Sequence, residues 1–278
     1  FIMKKKAVII FSIIIFCLTA GFFLLRNFLY TRKSLELTFD GAYYYSQTES
    51  DYGKWHYEKT YAGHEYYLYL PEKYRNDRKN ESAKIPLIVV FHGSDEKGAS
   101  LVKYGRKFIT EEFQNKIYPE GAAVLVILSR INYFTDPHGT CLLIQNICIK
   151  NKCIDKTNII GYGFSQGAKF VVELACAEPQ LFRAVISGSG FYNITFRELV
   201  SVLPVQFYSA VSENDKGIFE QGSIVGKLCG RWCKNSYYKQ YEQRWHFWVE
   251  LEDKLSDGDK TVMDWLVKLV NEWPLPCR

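Results

Sequence analysis

One stretch restricts this chain more than any other. Residues 157–174 read "TNIIGYGFSQGAKFVVEL": a short β-branched run, a serine between glycines, then apolar residues at helical spacing. The first part predicts a buried strand and the last part a helix. The change of direction falls on Ser165, with Gly163 two residues before it and Gly167 two residues after. A strand that turns so abruptly into a helix leaves no room for side chains at those two positions. The Ser165 hydroxyl stands out from such a turn, and the N–H of Gln166 points into the same space from the start of the helix. A serine held this way is a nucleophile in waiting, and it needs a base to take its proton.

The flanking sequence repeats the same strand and helix logic. "HEYYLYLP" (64–71) alternates and stops at a proline, as a strand does. "IPLIVVFHG" (85–93), "AAVLVILS" (122–129), "FRAVISGSG" (182–190) and "LPVQFYSAVSEND" (203–215) are continuous apolar runs that suit strands buried on both faces. "HFWVELED" (246–253) is expected as the last strand. Helical patterns lie between them in "EEFQNKIYPEG", "CLLIQNICIKN" and "AKFVVELACAEP", and "KTVMDWLVKLVNEW" closes the chain as an amphipathic helix. Buried strands alternating with helices predict an α/β protein with a mostly parallel sheet covered on both faces. Reactive groups in such a sheet gather at the carboxyl ends of its strands. "FHGS" (91–94) ends one of them, and the Ser94 N–H becomes a second candidate donor to a tetrahedral oxyanion beside that of Gln166.

At this point the chain resembles secreted α/β-hydrolase esterases of the feruloyl esterase and polyhydroxybutyrate depolymerase type. The resemblance rests on "YYLYLP", "PLIVVFHG", "IDKTNIIGYGFSQGAKFVVELACAEPQLFRAVISGSG" and "VQFYSAVSEND", in that order, and covers roughly residues 64–270. It implies an α/β-hydrolase fold and hydrolysis of carboxylic esters through an acyl-serine. It also implies that Asp215 is the acid that orients the base, with Glu213 as its local rival.

The base is the difficulty. The resemblance places a histidine in the loop between the last strand and the closing helix, and "KLSDGDK" (254–260) contains none. With 246–253 taken as a strand, His246 opens it at the amino edge of the sheet, about 20 Å from the serine at ~3.3 Å per residue. His92 matches a structural histidine of the family. His138, in "NYFTDPHGT", lies on the active edge and is the possible alternative base. His56 and His64 are expected to face elsewhere, and Asp257 is a weak base for a hydroxyl, with a reference pKa of ~4. The expectation is an esterase-like protein with impaired catalysis, serving as a structural or accessory subunit of a membrane complex. The alternatives are an active serine esterase with a non-standard base, and a lipid- or glycan-binding module using the acyl pocket.

The membrane enters through residues 7–25, "AVIIFSIIIFCLTAGFFLL", an uncharged run that nearly spans a hydrocarbon layer of ~30 Å. The expected organisation is an anchor helix over 1–30, an aromatic-rich connection over 31–63 and the hydrolase domain over 64–278. Membrane lipid and other membrane subunits are the expected partners. The net charge of +5 is scattered, which argues against nucleic acid as a partner. No cofactor is expected. With eight cysteines and no Cys-x-x-Cys pair, one to three disulfides are expected rather than a zinc site. That would place the globular part in an oxidising compartment: the mitochondrial intermembrane space, the secretory lumen or the cell surface.

Overall fold

The computed structural model describes residues 53–60, 64–72, 84–94, 102–117, 121–129, 134–256 and 258–272, all within one compact unit, Leu37–Arg278. The expected anchor therefore lies outside the described residues, and among these no helix is long and apolar enough to cross a membrane.

Eight strands form one sheet: β1 (Trp55–Lys59), β2 (Glu65–Tyr69), β3 (Ile85–Phe91), β4 (Ala123–Leu128), β5 (Ile154–Phe164), β6 (Ala184–Gly188), β7 (Gln206–Ser212) and β8 (Tyr237–Tyr241). Their order is β1-β2-β4-β3-β5-β6-β7-β8. The first two strands run antiparallel, and β4 through β8 are mutually parallel. β1 brings residues upstream of 64 into the sheet, ahead of the stretch that the resemblance covers. The helices are α1 (Val102–Gly105), α2 (Glu111–Lys116), α3 (Pro137–Lys150), α4 (Gln166–Ala177), α5 (Phe196–Val202), α6 (Phe219–Trp232) and α7 (Val262–Asn271).

β3 is buried at every position, as its unbroken apolar run requires of a strand covered on both faces. Alternate residues of the central strands, among them Val90, Val126, Ile160 and Tyr162, pack on one side against Phe108, Phe113 and the Trp265, Leu266 and Leu269 face of α7. The residues between them face the other way, where Phe91 meets Phe170 of α4 edge-on at 5.6 Å.

The expected last strand is the main departure. Residues 246–253 form no strand, and the sheet ends instead at β8, "YYKQY", which the polar sequence concealed. The apolar residues of 246–253 are explained by burial without pairing. Val249 and Leu251 enter the core beneath the sheet, while Trp248 packs against it. The main chain here bonds to side chains and to the start of α7 instead of a neighbouring strand. Phe247 N–H donates to Ser189 Oγ at 3.1 Å, Val249 O accepts from Lys107 Nζ at 3.1 Å, and Glu250 N–H donates to Asp253 Oδ2 at 2.8 Å. Alternation of large apolar residues therefore reported a buried loop.

Cysteine chemistry also differs from expectation. Among the described residues, Cys141, Cys148, Cys153, Cys176, Cys229 and Cys233 are all buried free thiols, and none forms a disulfide. Burial pushes the Cys141 and Cys148 thiols up to about 12. Both sit on the inner face of α3, where they pack as small apolar groups.

Candidate functional site

β5 ends at Phe164 and α4 begins at Gln166, so Ser165 alone makes the turn. Its backbone adopts φ 55° and ψ −121°, a conformation that costs a non-glycine residue about 1–3 kcal/mol and persists only where the surroundings enforce it. The enforcement is visible. A Cβ on Gly163 would strike the Gly167 carbonyl, and one on Gly167 would strike the carbonyls of Phe91 and His92. Ser165 N–H donates to Gly188 O of β6 at 2.9 Å, and Ser165 O accepts from Lys169 N–H in the first turn of α4 at 3.0 Å. The serine is 6% exposed, so the turn presents it to a covered space and not to open solvent.

The β3 turn lies directly against it. A Cβ on Gly93 would meet the Phe164 ring and come within 3.4 Å of the Ser165 Cβ. Ser94 follows this close approach, and Gln166 is the first residue of α4, whose opening N–H groups have no partner within the helix. Ser94 and Gln166 thus directly follow the two residues, Gly93 and Ser165, that meet at this close approach. The Gln166 side chain faces away along the loop after β4, with Oε1 accepting from Phe134 N–H at 3.0 Å.

The decisive placement is that of His246. Because the sheet ends at β8, residues 242–261 form the connection between the last strand and the closing helix, and His246 lies inside it. Its Nδ1 lies 2.5 Å from Asp215 Oδ2. A carboxylate can only accept, so in the neutral imidazole Nδ1 carries the proton and Nε2 is the acceptor. The imidazole packs on the ring of Phe164, the residue before the serine, with centroids 4.7 Å apart. The earlier placement of His246 at the amino edge fails because it assumed a strand where there is a loop. Asp215 follows β7 as expected. Its N–H donates to Ser212 O at 3.1 Å, and its carbonyl opens α6 by accepting from Phe219 N–H at 2.8 Å. Glu213, the rival, accepts instead from Gln240 Nε2 at 2.5 Å.

The histidine loop is held from several directions. Trp248 stacks on Tyr104 at 3.9 Å and on Phe164 at 4.7 Å. Lys107 Nζ donates to Tyr162 Oη at 3.0 Å, to Val249 O, and to Glu250 Oε2 at 2.5 Å. The Tyr162 hydroxyl donates to the same Val249 carbonyl. Arg244 Nη1 reaches Asp253 Oδ1 at 2.6 Å, closing the loop across its base.

The remaining histidines have other places. His92 Nδ1–H donates to Gly93 O at 2.7 Å while Nε2 accepts from Ser129 N–H at 2.9 Å, so the ring ties the β3 turn to the end of β4. Burial holds its pKa below the usual histidine value, against the opposing effect of the Gly93 bond. This is the structural role expected of it. His138 is exposed in the first turn of α3 and is not the residue at Asp215. His64 lies at the start of β2, which runs antiparallel to β4, so it sits at the carboxyl edge after all; its Nε2 is 3.3 Å from Asp136 Oδ2.

No family model and no curated protein matches this sequence. Solved structures do match. A thermostable esterase superposes with a TM-score of 0.56 at 17% identity, over 78% of this chain and 60% of that one. A ferulic acid esterase gives 0.53 at 12% identity, covering 70% of this chain and 90% of that one. An acetyl xylan esterase from Aspergillus awamori gives 0.52 at 13% identity, over 70% and 94%. The chain thus spans about three fifths of the first of these and nearly all of the other two. At such identities the likeness defines the fold, and the fold is that of the α/β-hydrolases.

Proposed function

We propose that this protein is a serine esterase that cleaves carboxylic esters through an acyl-serine. Ser165 is the nucleophile, His246 the general base and then the general acid, and Asp215 the group that fixes the imidazole tautomer. The Gln166 and Ser94 N–H groups receive the oxyanion. The observation that carries this reading is the 2.5 Å contact from His246 Nδ1 to Asp215, made by an imidazole packed on the residue before Ser165. It supplies the base whose apparent absence favoured an impaired protein. The reading extends to membrane attachment through residues 7–25.

In the reaction, Nε2 takes the Ser165 proton as Oγ attacks the ester carbonyl, and the imidazolium is stabilised by Asp215. The proton passes to the leaving alcohol, and water repeats the sequence on the acyl-enzyme. The test is purified full-length protein with a fluorophosphonate probe and an aryl ester. Stoichiometric labelling at Ser165 and steady turnover are expected. Both should be lost in Ser165→Ala, and His246→Ala should lower kcat by roughly 10⁴-fold or more. Intact protein that neither labels nor turns over sinks the reading.

A further inference from the structure

The end of β6 is bonded to the serine turn, to β7 and to the histidine loop. Gly188 O accepts from Ser165 N–H at 2.9 Å, and Ser189 N–H donates to Ala210 O of β7, the strand that leads to Asp215, at 2.9 Å. The Ser189 hydroxyl is spent on the main chain of one residue. It accepts from Phe247 N–H at 3.1 Å and donates to Phe247 O at 3.2 Å. Phe247 directly follows His246.

Ser189 is wholly buried and has a positive φ of 48°, a conformation that glycine would adopt more readily. Its immediate neighbours Gly188 and Gly190 are both glycine, so a third glycine would suit the backbone. A side chain is kept where the local conformation disfavours one, and its single polar atom holds both main-chain groups of the residue after the base. The loop from 242 to 250 has no strand partner, so such side-chain bonds replace a ladder in fixing its position.

We propose that Ser189 is a positioning residue for His246. It sets the register of the histidine loop against the nucleophile, so that the imidazole reaches Asp215 and Ser165 together. This rests on the esterase reading above. Misplacement of a catalytic group by about 1 Å can cost 10²-fold in rate, which gives the scale of the expected effect.

The test is a double-mutant cycle on the full chain with an aryl ester, read as kcat and KM separately. Ser189→Ala should lower kcat by roughly 10- to 100-fold with KM within about twofold. In a His246→Ala background the same change should cost almost nothing, because the group it positions is gone. Ser189→Gly, which relieves the positive φ but also lacks the hydroxyl, should behave like the alanine variant and replaces it should alanine fail to fold. Two results overturn the proposal: wild-type kcat in a folded Ser189→Gly protein, or an equal loss in the His246→Ala background. Wild-type protein that neither labels with fluorophosphonate nor hydrolyses ester is a different failure. It removes the esterase reading, and the proposal falls with it.

Discussion

The serine turn and the histidine loop are fixed in place by opposite means. The turn around Ser165 is compact: seven residues, two of them glycines hemmed in by backbone of the turn and of β3, follow a single path between a strand and a helix. The histidine loop is held almost wholly by distant residues. Ser189, Lys107, Tyr162, Tyr104 and Phe164 all reach it from elsewhere in the chain. Rigidity written into a segment survives changes around it, whereas rigidity borrowed from surroundings depends on each of them. Three further substitutions sharpen that contrast.

The largest effect should come from Gly167→Ala. The added methyl would press on the carbonyls of Phe91 and His92, which are backbone and cannot move aside. Overpacking of this kind costs about 1–3 kcal/mol, and more where backbone blocks relief, and the turn at Ser165 should distort with it. Chemical denaturation and fluorophosphonate labelling should both register the change. Normal labelling in a protein of undiminished stability would show that the turn is less strictly determined than its geometry implies.

Lys107→Met should act on the other half alone. It removes an ammonium whose side chain is 17% exposed and which bonds Tyr162, Val249 and Glu250. A loss of about 1–3 kcal/mol is expected for such charged hydrogen bonds, with kcat falling roughly tenfold as the loop loosens. Labelling at Ser165 should slow but persist. A complete loss of labelling would mean that loop and turn are not separable.

His92→Asn should give the smallest effect, visible as a change of slope. Burial lowers the folded-state pKa of His92 below its unfolded value near 6.5. As pH falls below that value, the unfolded chain takes up the proton first, so stability declines. Asparagine cannot titrate, and the decline between about pH 7 and 5 should become shallower. It should not vanish, because burial lowers the His64 pKa in the same direction despite the nearby Asp136. An unchanged slope in denaturation midpoints would remove His92 from the acid response.

Much of the fold could be read from the chain. β2 through β7 fall on apolar runs that the sequence displays, and α4 and α7 on plain helical periodicity. β8 could not be read, because an edge strand of Tyr, Lys and Gln lacks the apolar signature of a buried one. Missing it put a strand at 246–253 and misplaced His246. His246 was visible throughout, but "HFWVELED" has the composition of a strand, and composition cannot distinguish a residue buried in a ladder from one buried in a loop. The cysteines show the same limit. Their clustering suggested disulfides, whereas the six described ones are buried as free thiols.

By itself, then, the sequence determined the strand–serine–helix turn. Ser165, Gly163 and Gly167 are neighbours along the chain, and the backbone that excludes a side chain at Gly163 is that of Gly167 itself. Only the tertiary structure decided which histidine stands at Asp215, since the contact between His246 and Asp215 joins residues 31 apart. That contact depends on where β8 ends and on side chains from β5, β6 and the segment after α1. Long-range packing of this kind leaves no periodic trace in the residues it positions.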